Sequence, residues 1–262
     1  MGGSFSCLAG DSCNERTALD RRGLGYLFEE GTRFAGRRCD YGWDVGRFEG
    51  SDVKVKRSGQ KVNSVSVKWS VAVAPAIAQG WMSSLFNYDE ITFFHSERMV
   101  HLVDSIAQAV GLDGDGLIEA REAAGFHDLG KVEVPISILG KAGTLTKEEF
   151  VAVKAHSAVG ADLILKASPD FWNIAQGVRT HHERLDGSGY PDGLKGEEIP
   201  ILGRIIAVAD VFDALTHPRP YRAGMFSAES ALEFLEDNVG SSFDPGVVSA
   251  LMAIVGPTSL AW

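Results

Sequence analysis

From about residue 72 onward the apolar positions recur at three- and four-residue spacing, the period of amphipathic helices. Val100, Val103, Ile106, Ala107 and Val110 predict one helix over residues 95–111. Leu117, Ile118, Ala120, Ala123, Ala124 and Phe126 predict a second, running into His127-Asp128 and stopping near Gly130. Thr146 and Glu149 have the spacing of a capping box and open a third, which continues to about residue 166. Pro169 opens a fourth that ends near residue 183. Residues 201–215 are apolar on almost every face, the mark of a buried helix. Two shorter helices follow over 227–237 and 244–254. The long connections 132–145 and 185–200 interrupt this scaffold, and long loops on a rigid scaffold are where function concentrates.

The first 68 residues lack that period. Val53, Val55, Val62, Val65 and Val67 flank Ser58-Gly59 as a short hairpin would. The uncharged stretch 69–86 is about 18 residues long, near the lower limit for a membrane span. Pro75, Gln79, Gly80 and several serines dilute it, so a packing helix is expected instead. The expected chain is therefore mostly α-helical. It has an N-terminal region over 1–68 that is partly β and without assigned role, a connecting helix over 69–89, and a helical domain over 90–255. No internal repeat is evident.

With 45% hydrophobic and 23% charged residues, the composition is that of a globular protein. The net charge of −10 is concentrated in one part. Residues 1–90 carry 12 Lys/Arg against 11 Asp/Glu, leaving 13 against 24 for residues 91–262. A surface that acidic disfavours polymeric nucleic acid. A phosphate-containing ligand would need a local positive centre, which metal ions on a carboxylate-rich site can provide. Cys7, Cys13 and Cys39 form no CxxC and have no nearby histidine, so reduced thiols in a cytoplasmic protein are expected.

The chemistry gathers on the helices. His127-Asp128 ends the second; His156 lies on the apolar face of the third, in line with Phe150, Val153, Gly160 and Leu163. His181-His182 ends the fourth, and Asp210 lies inside the buried fifth. A buried carboxylate costs several kcal/mol unless it is paired or metal-bound. The only nearby basic residue on that helix is Arg204. Imidazoles with carboxylates and no thiolate suit iron, manganese, nickel or zinc, and five or six ligands suit two ions rather than one. His101 is out of register with His95, His217 reads as a helix-end residue, and Asp213 reads as structural. His, His-Asp, His, His-His and Asp on successive helices, at intervals of 25 to 32 residues, make a pattern that single core histidines do not.

These segments resemble the HD-GYP family. Phe126-His127-Asp128-Leu129-Gly130-Lys131 is similar to the HD signature. His181-His182-Glu183, followed by residues 186–196 with Gly189-Tyr190-Pro191, is similar to the HHE and GYP segment. Residues 206–216, with Arg219-Pro220-Tyr221-Arg222, resemble the closing block. The resemblance runs from about residue 90 to 255 and implies a helical bundle holding two or three divalent ions, usually iron or manganese. By position, His95, His127, Asp128, His156, His181, His182 and Asp210 would be the ligands, with Asp128 bridging. Some members bind a third ion through a glutamate four residues before the first histidine. Here Ile91 stands there, and Glu90 is rotated from it by about 100°. Two ions are therefore expected.

The implied reaction is hydrolysis of cyclic di-GMP to pGpG, and to GMP if a second cut follows, through a hydroxide bridging the two ions. Lys131 would donate to the scissile phosphate or act as general acid beside Asp128. Gly189, Tyr190 and Pro191 would contact the substrate, Tyr190 by stacking or through its hydroxyl. Arg219 and Arg222 would hold the second phosphate. Two alternatives stay open. One is an HD phosphohydrolase for another nucleotide, mixed cyclic GMP-AMP included. The other is a catalytically weak sensor that touches a diguanylate cyclase or another signalling protein. A homodimer is compatible with the pattern but not selected by it.

Overall fold

The computed structural model describes residues 75–217 apart from 142, residues 225–256, and three short strands nearer the N-terminus. The three cysteines, Arg219 and Arg222 lie outside the described residues. The strands β1 (Trp43–Val45), β2 (Asp52–Arg57) and β3 (Val65–Lys68) form an antiparallel sheet in the order β1-β2-β3. Asp52 pairs with Lys68 and Val55 with Val65, so the expected turn at Ser58-Gly59 falls in a connection outside the described residues.

The helices in chain order are α1 (Pro75–Tyr88), α2 (Glu90–Ala109), α3 (Gly114–Phe126), α4 (Ile136–Leu139) and α5 (Lys147–Lys154). They continue as α6 (His156–Ala167), α7 (Trp172–Thr180), α8 (Ile201–Thr216), α9 (Ala228–Asp237) and α10 (Pro245–Val255). Several boundaries have explicit caps. Asp89 accepts from the Ile91 amide, Ser227 from Ser230, and Asp244 from Gly246 and Val247. The Thr146–Glu149 capping box is present in both directions, at 3.2 and 2.7 Å. Among the described residues no helix is long and apolar enough to cross a membrane.

Helices α2, α3, α6, α7 and α8 pack into one core, and Ile106, Phe126, Ile164, Ile174, Ile205 and Ile206 are fully buried within it. Helix α1 covers one side, with the Trp81 ring edge-on to Phe126 at 5.1 Å. The Tyr88 hydroxyl donates to the Val134 carbonyl, tying the end of α1 to the chain just beyond Lys131.

The structure corrects the sequence reading in two places that matter for the site. The helix predicted from residue 146 to 166 is broken at Ala155 into α5 and α6, and Phe150 is 47% exposed rather than part of a buried face. Helix α3 ends at Phe126, and Gly130 does not act as its stop signal. The chain instead tightens into a 3-10 turn over Leu129–Glu133, whose backbone lies directly against α6. A Cβ on Gly130 would run into the His156 carbonyl and come within 2.6 Å of the Gly160 amide nitrogen. The glycine is needed for that close approach, which brings Asp128 up to His156.

Gly130→Ala should therefore cost about 1–3 kcal/mol as overpacking, read as a lower denaturant midpoint. Gly116→Ala, whose Cβ would meet only the Leu112 side chain at 3.8 Å, should be neutral or slightly stabilising.

Candidate metal centre

Three of the site histidines stand at helix breaks, where backbone carbonyls lose their partners in the helix. His127 follows α3 and its Nδ1 donates to the Ala124 carbonyl at 2.7 Å. His156 follows the break after α5 and donates to Val153 at 2.7 Å, and His181 follows α7 and donates to Val178 at 2.6 Å. A carbonyl only accepts, so Nδ1 carries the proton in each ring and, in the neutral imidazole, Nε2 carries a lone pair.

Those lone pairs converge. His156 Nε2 and His181 Nε2 are 3.3 Å apart, with no proton available to join them in the neutral tautomers. His127 Nε2 is 3.3 Å from Asp128 Oδ2, and His156 Nε2 is 3.4 Å from Asp128 Oδ1. His127 Nε2 and Asp128 Oδ1 are buried with no hydrogen-bond partner. Burial pushes the pKa of His181 well down and that of His156 down, and it takes His182 to about 3. All three are thus neutral, ligand-competent imidazoles at pH 7.

The second half of the cluster holds His95 from α2 and Asp210 from α8. His95 Nε2 lies 3.0 Å from Asp210 Oδ1 without the alignment of a hydrogen bond. Its Nδ1 meets Asp213 Oδ2 at 2.6 Å, and Arg98 grips Asp213 with two bonds of 2.7 and 2.8 Å. Burial opposes charge on His95, but the Asp210 and Asp213 carboxylates beside its ring outweigh burial and raise its pKa. Asp213 is likewise buried, yet Arg98 and His95 hold it well below the usual carboxylate range. The structural role expected for Asp213 is thus to orient a site imidazole, a carboxylate–histidine arrangement typical of metal centres. Arg98 was missed because it is distant in sequence from Asp213. Arg204, the expected basic neighbour of Asp210, pairs instead with Asp244 at 2.6 Å.

All seven predicted ligand positions are brought together. His156, His181 and His182 form one group whose ligand atoms lie within 4.8 Å of one another, and His95, His127 and Asp128 form another. Asp128 is fully buried. Burial would raise its pKa, but Lys131 Nζ at 2.6 Å and the neighbouring imidazoles hold it well down. Facing lone pairs, orphaned nitrogens and buried carboxylates form a donor set that fits divalent cations. Ile91, four residues before His95, is 47% exposed.

Beside His182 lies the loop with Gly189, Tyr190 and Pro191. Glu183 Oε1 accepts from the amides of Asp192 and Gly193 at 2.7 and 3.1 Å, and Arg179 holds the Asp192 carboxylate at 2.7 and 2.8 Å. Gly189 is pressed against the Glu183 backbone, leaving no room for a side chain. Tyr190 stacks on His182 with ring centroids 4.7 Å apart, and the peptide bond that follows it is cis. The sequence reading did not single out this use of Glu183. Its place directly after His181-His182 was the available signal.

A helical bundle that turns its helix ends inward onto imidazoles and carboxylates defines an all-α metal-binding domain. Residues 82–247 match the HD domain family, and the chain belongs to that family. It is 43% identical over 157 residues to the 3'3'-cGAMP-specific phosphodiesterase 3 of Vibrio cholerae, covering 60% of this chain and 34% of that protein. It is equally similar, 43% over 157 residues, to the cyclic di-GMP phosphodiesterase response regulator RpfG of Xanthomonas campestris, covering 60% and 41%. A cyclic di-GMP phosphodiesterase of Thermotoga maritima is 41% identical over 167 residues, covering 63% and 45%. The chain thus spans less than half the length of these relatives. In fold it is similar to Bd1817, an HDG"Y"P protein from Bdellovibrio bacteriovorus, with a TM-score of 0.51 at 18% identity over 68% of this chain and 60% of that one.

Loss of the orienting carboxylate should loosen the centre without emptying it. Asp213→Ala should weaken metal affinity about 10–100-fold in a competitive chelator titration, with the far-UV circular dichroism spectrum retained.

Proposed function

We propose that this chain is a metal-dependent phosphodiesterase that opens a cyclic dinucleotide, cyclic di-GMP to pGpG. The observation that carries the reading is the apposition of unprotonated imidazole nitrogens at 3.3 Å beside a buried aspartate, next to a preformed glycine-rich loop. The two three-residue groups support two ions, with Asp128 between them and iron or manganese as their content. When bound, such ions supply an acidified water and polarise a phosphoryl oxygen.

The rest is done by the chain's own groups. His127, His156 and His181 keep their Nδ1 protons on carbonyls, so their Nε2 atoms stay fixed in direction. Lys131 holds a proton beside Asp128, where it can donate to a phosphate oxygen or to the departing sugar oxygen. The loop clamped by Glu183 lies beside His182 and offers close backbone approach at Gly189. Tyr190 has one ring face against His182, so its hydroxyl and ring edge are what it offers a substrate. The choice of a cyclic dinucleotide rests on the names of the relatives, which divide between cyclic di-GMP and 3'3'-cGAMP.

Anaerobically purified protein, analysed for metal and assayed with cyclic di-GMP, 3'3'-cGAMP, mononucleotides and an aryl phosphodiester, tests this directly. Turnover of mononucleotides alone would remove the substrate assignment. Bound metal and tight cyclic di-GMP binding with no hydrolysis would favour a sensor.

Asp128→Ala should lose metal and turnover together. Lys131→Ala should keep its metal while kcat falls about 10²–10⁴-fold, the usual worth of a positioned proton donor.

A further inference from the structure

Most cations around the centre are already neutralised. Lys131 is held by Asp128, Arg98 by Asp213, Arg179 by Asp192 and Arg204 by Asp244. Arg184 is turned inward, on the Glu183 carbonyl at 2.9 Å and over the buried Phe243 ring at 5.3 Å. Lys154, at the end of α5, differs from all of these. Its ammonium stands 4.7 Å from the Phe150 ring centroid and 4.9 Å from that of Tyr190, and no carboxylate among the described residues pairs with it. Tyr190 in turn stacks on His182, so this uncompensated charge is one aromatic ring away from the candidate metal centre.

Its setting is ordered by packing. The break at Ala155 turns His156 inward while Lys154, two residues earlier, remains partly exposed beside the loop. Aromatic faces hold an ammonium in place without cancelling its charge, so it stays available to an anion. In a region with 13 basic and 24 acidic residues, a cation without an acidic partner beside the Tyr190 loop keeps its charge for an anion.

We infer that Lys154 is a substrate-binding residue that takes the phosphate not being cut, while the half-exposed Phe150 ring offers a face to the adjoining purine. The inference rests on the cyclic-dinucleotide reading above and deepens it. It supplies a contact for the second phosphate independent of Arg219 and Arg222.

The test compares wild type, Lys154→Met and Lys154→Arg as manganese-loaded full chains. KM and kcat are measured with cyclic di-GMP, and Kd with its phosphorothioate analogue. Lys154→Met should raise both KM and Kd about tenfold, the cost of one lost charged contact, and Lys154→Arg should recover most of that. The kcat should change less than about threefold, because an interaction made equally in ground and transition states acts on KM. The Kd of wild type, but not of Lys154→Met, should weaken between low and high salt.

An unchanged KM and Kd in Lys154→Met overturns the inference. So does loss of metal or melting temperature in both variants, which would make the lysine structural. Wild-type protein that binds the analogue but never hydrolyses cyclic di-GMP defeats the phosphodiesterase reading alone, and Lys154 is then judged on Kd. Wild-type protein that binds neither defeats both.

Discussion

Three imidazoles that each donate from Nδ1 to a helix-end carbonyl are the constraint on which this domain turns. Once Ala124, Val153 and Val178 accept from His127, His156 and His181, the opposite nitrogens are acceptors in the neutral rings. The fold points those acceptors at one another and at Asp128. The arrangement is electrostatically unfavourable when empty and favourable around cations. Helix termination and ligand placement are therefore one event in the chain, since the residue that satisfies an orphaned carbonyl is also the one that faces the centre.

The carboxylates are managed in a complementary way. Asp128 and Asp213 are drawn out of water and Asp210 largely so, where an unpaired charge would be costly. Each is answered by a specific neighbour: Lys131 for Asp128, His95 for Asp210, and Arg98 with His95 for Asp213. The chain Arg98–Asp213–His95 links a partly exposed guanidinium to a fully buried imidazole, so the orientation of His95 depends on a residue near the surface. Glu183 plays the corresponding part for the loop, fixing two amides so that Tyr190 lies on His182. Rigid second contacts of this kind are what keep a centre within the tolerance that chemistry demands.

The family match covers residues 82–247, the helical part of the chain. The small sheet formed by β1, β2 and β3 lies before it in the chain. Helix α1 packs along the bundle and reaches, through Tyr88, the turn that carries Lys131, so the segment leading into the domain touches the site's supporting structure.

The helical period, the capping box at Thr146 and the spacing of His95, His127-Asp128, His156, His181-His182 and Asp210 are local patterns, and the amino-acid order alone displays them. They determined the class of fold, the approximate helix limits and the list of candidate ligands. What the order could not display was anything resting on contacts between distant segments. Asp213 carries no local sign that it holds His95, because its partners lie 115 and 118 positions away. The same holds for Arg204, whose charge is spent on Asp244, and for Gly130, whose bare Cα is required by the backbone of α6. The break at Ala155 was hidden because an uninterrupted helical pattern costs nothing locally. Only packing against Asp128 and His181 favours a break at Ala155, with His156 opening the next helix and its ring on the Val153 carbonyl.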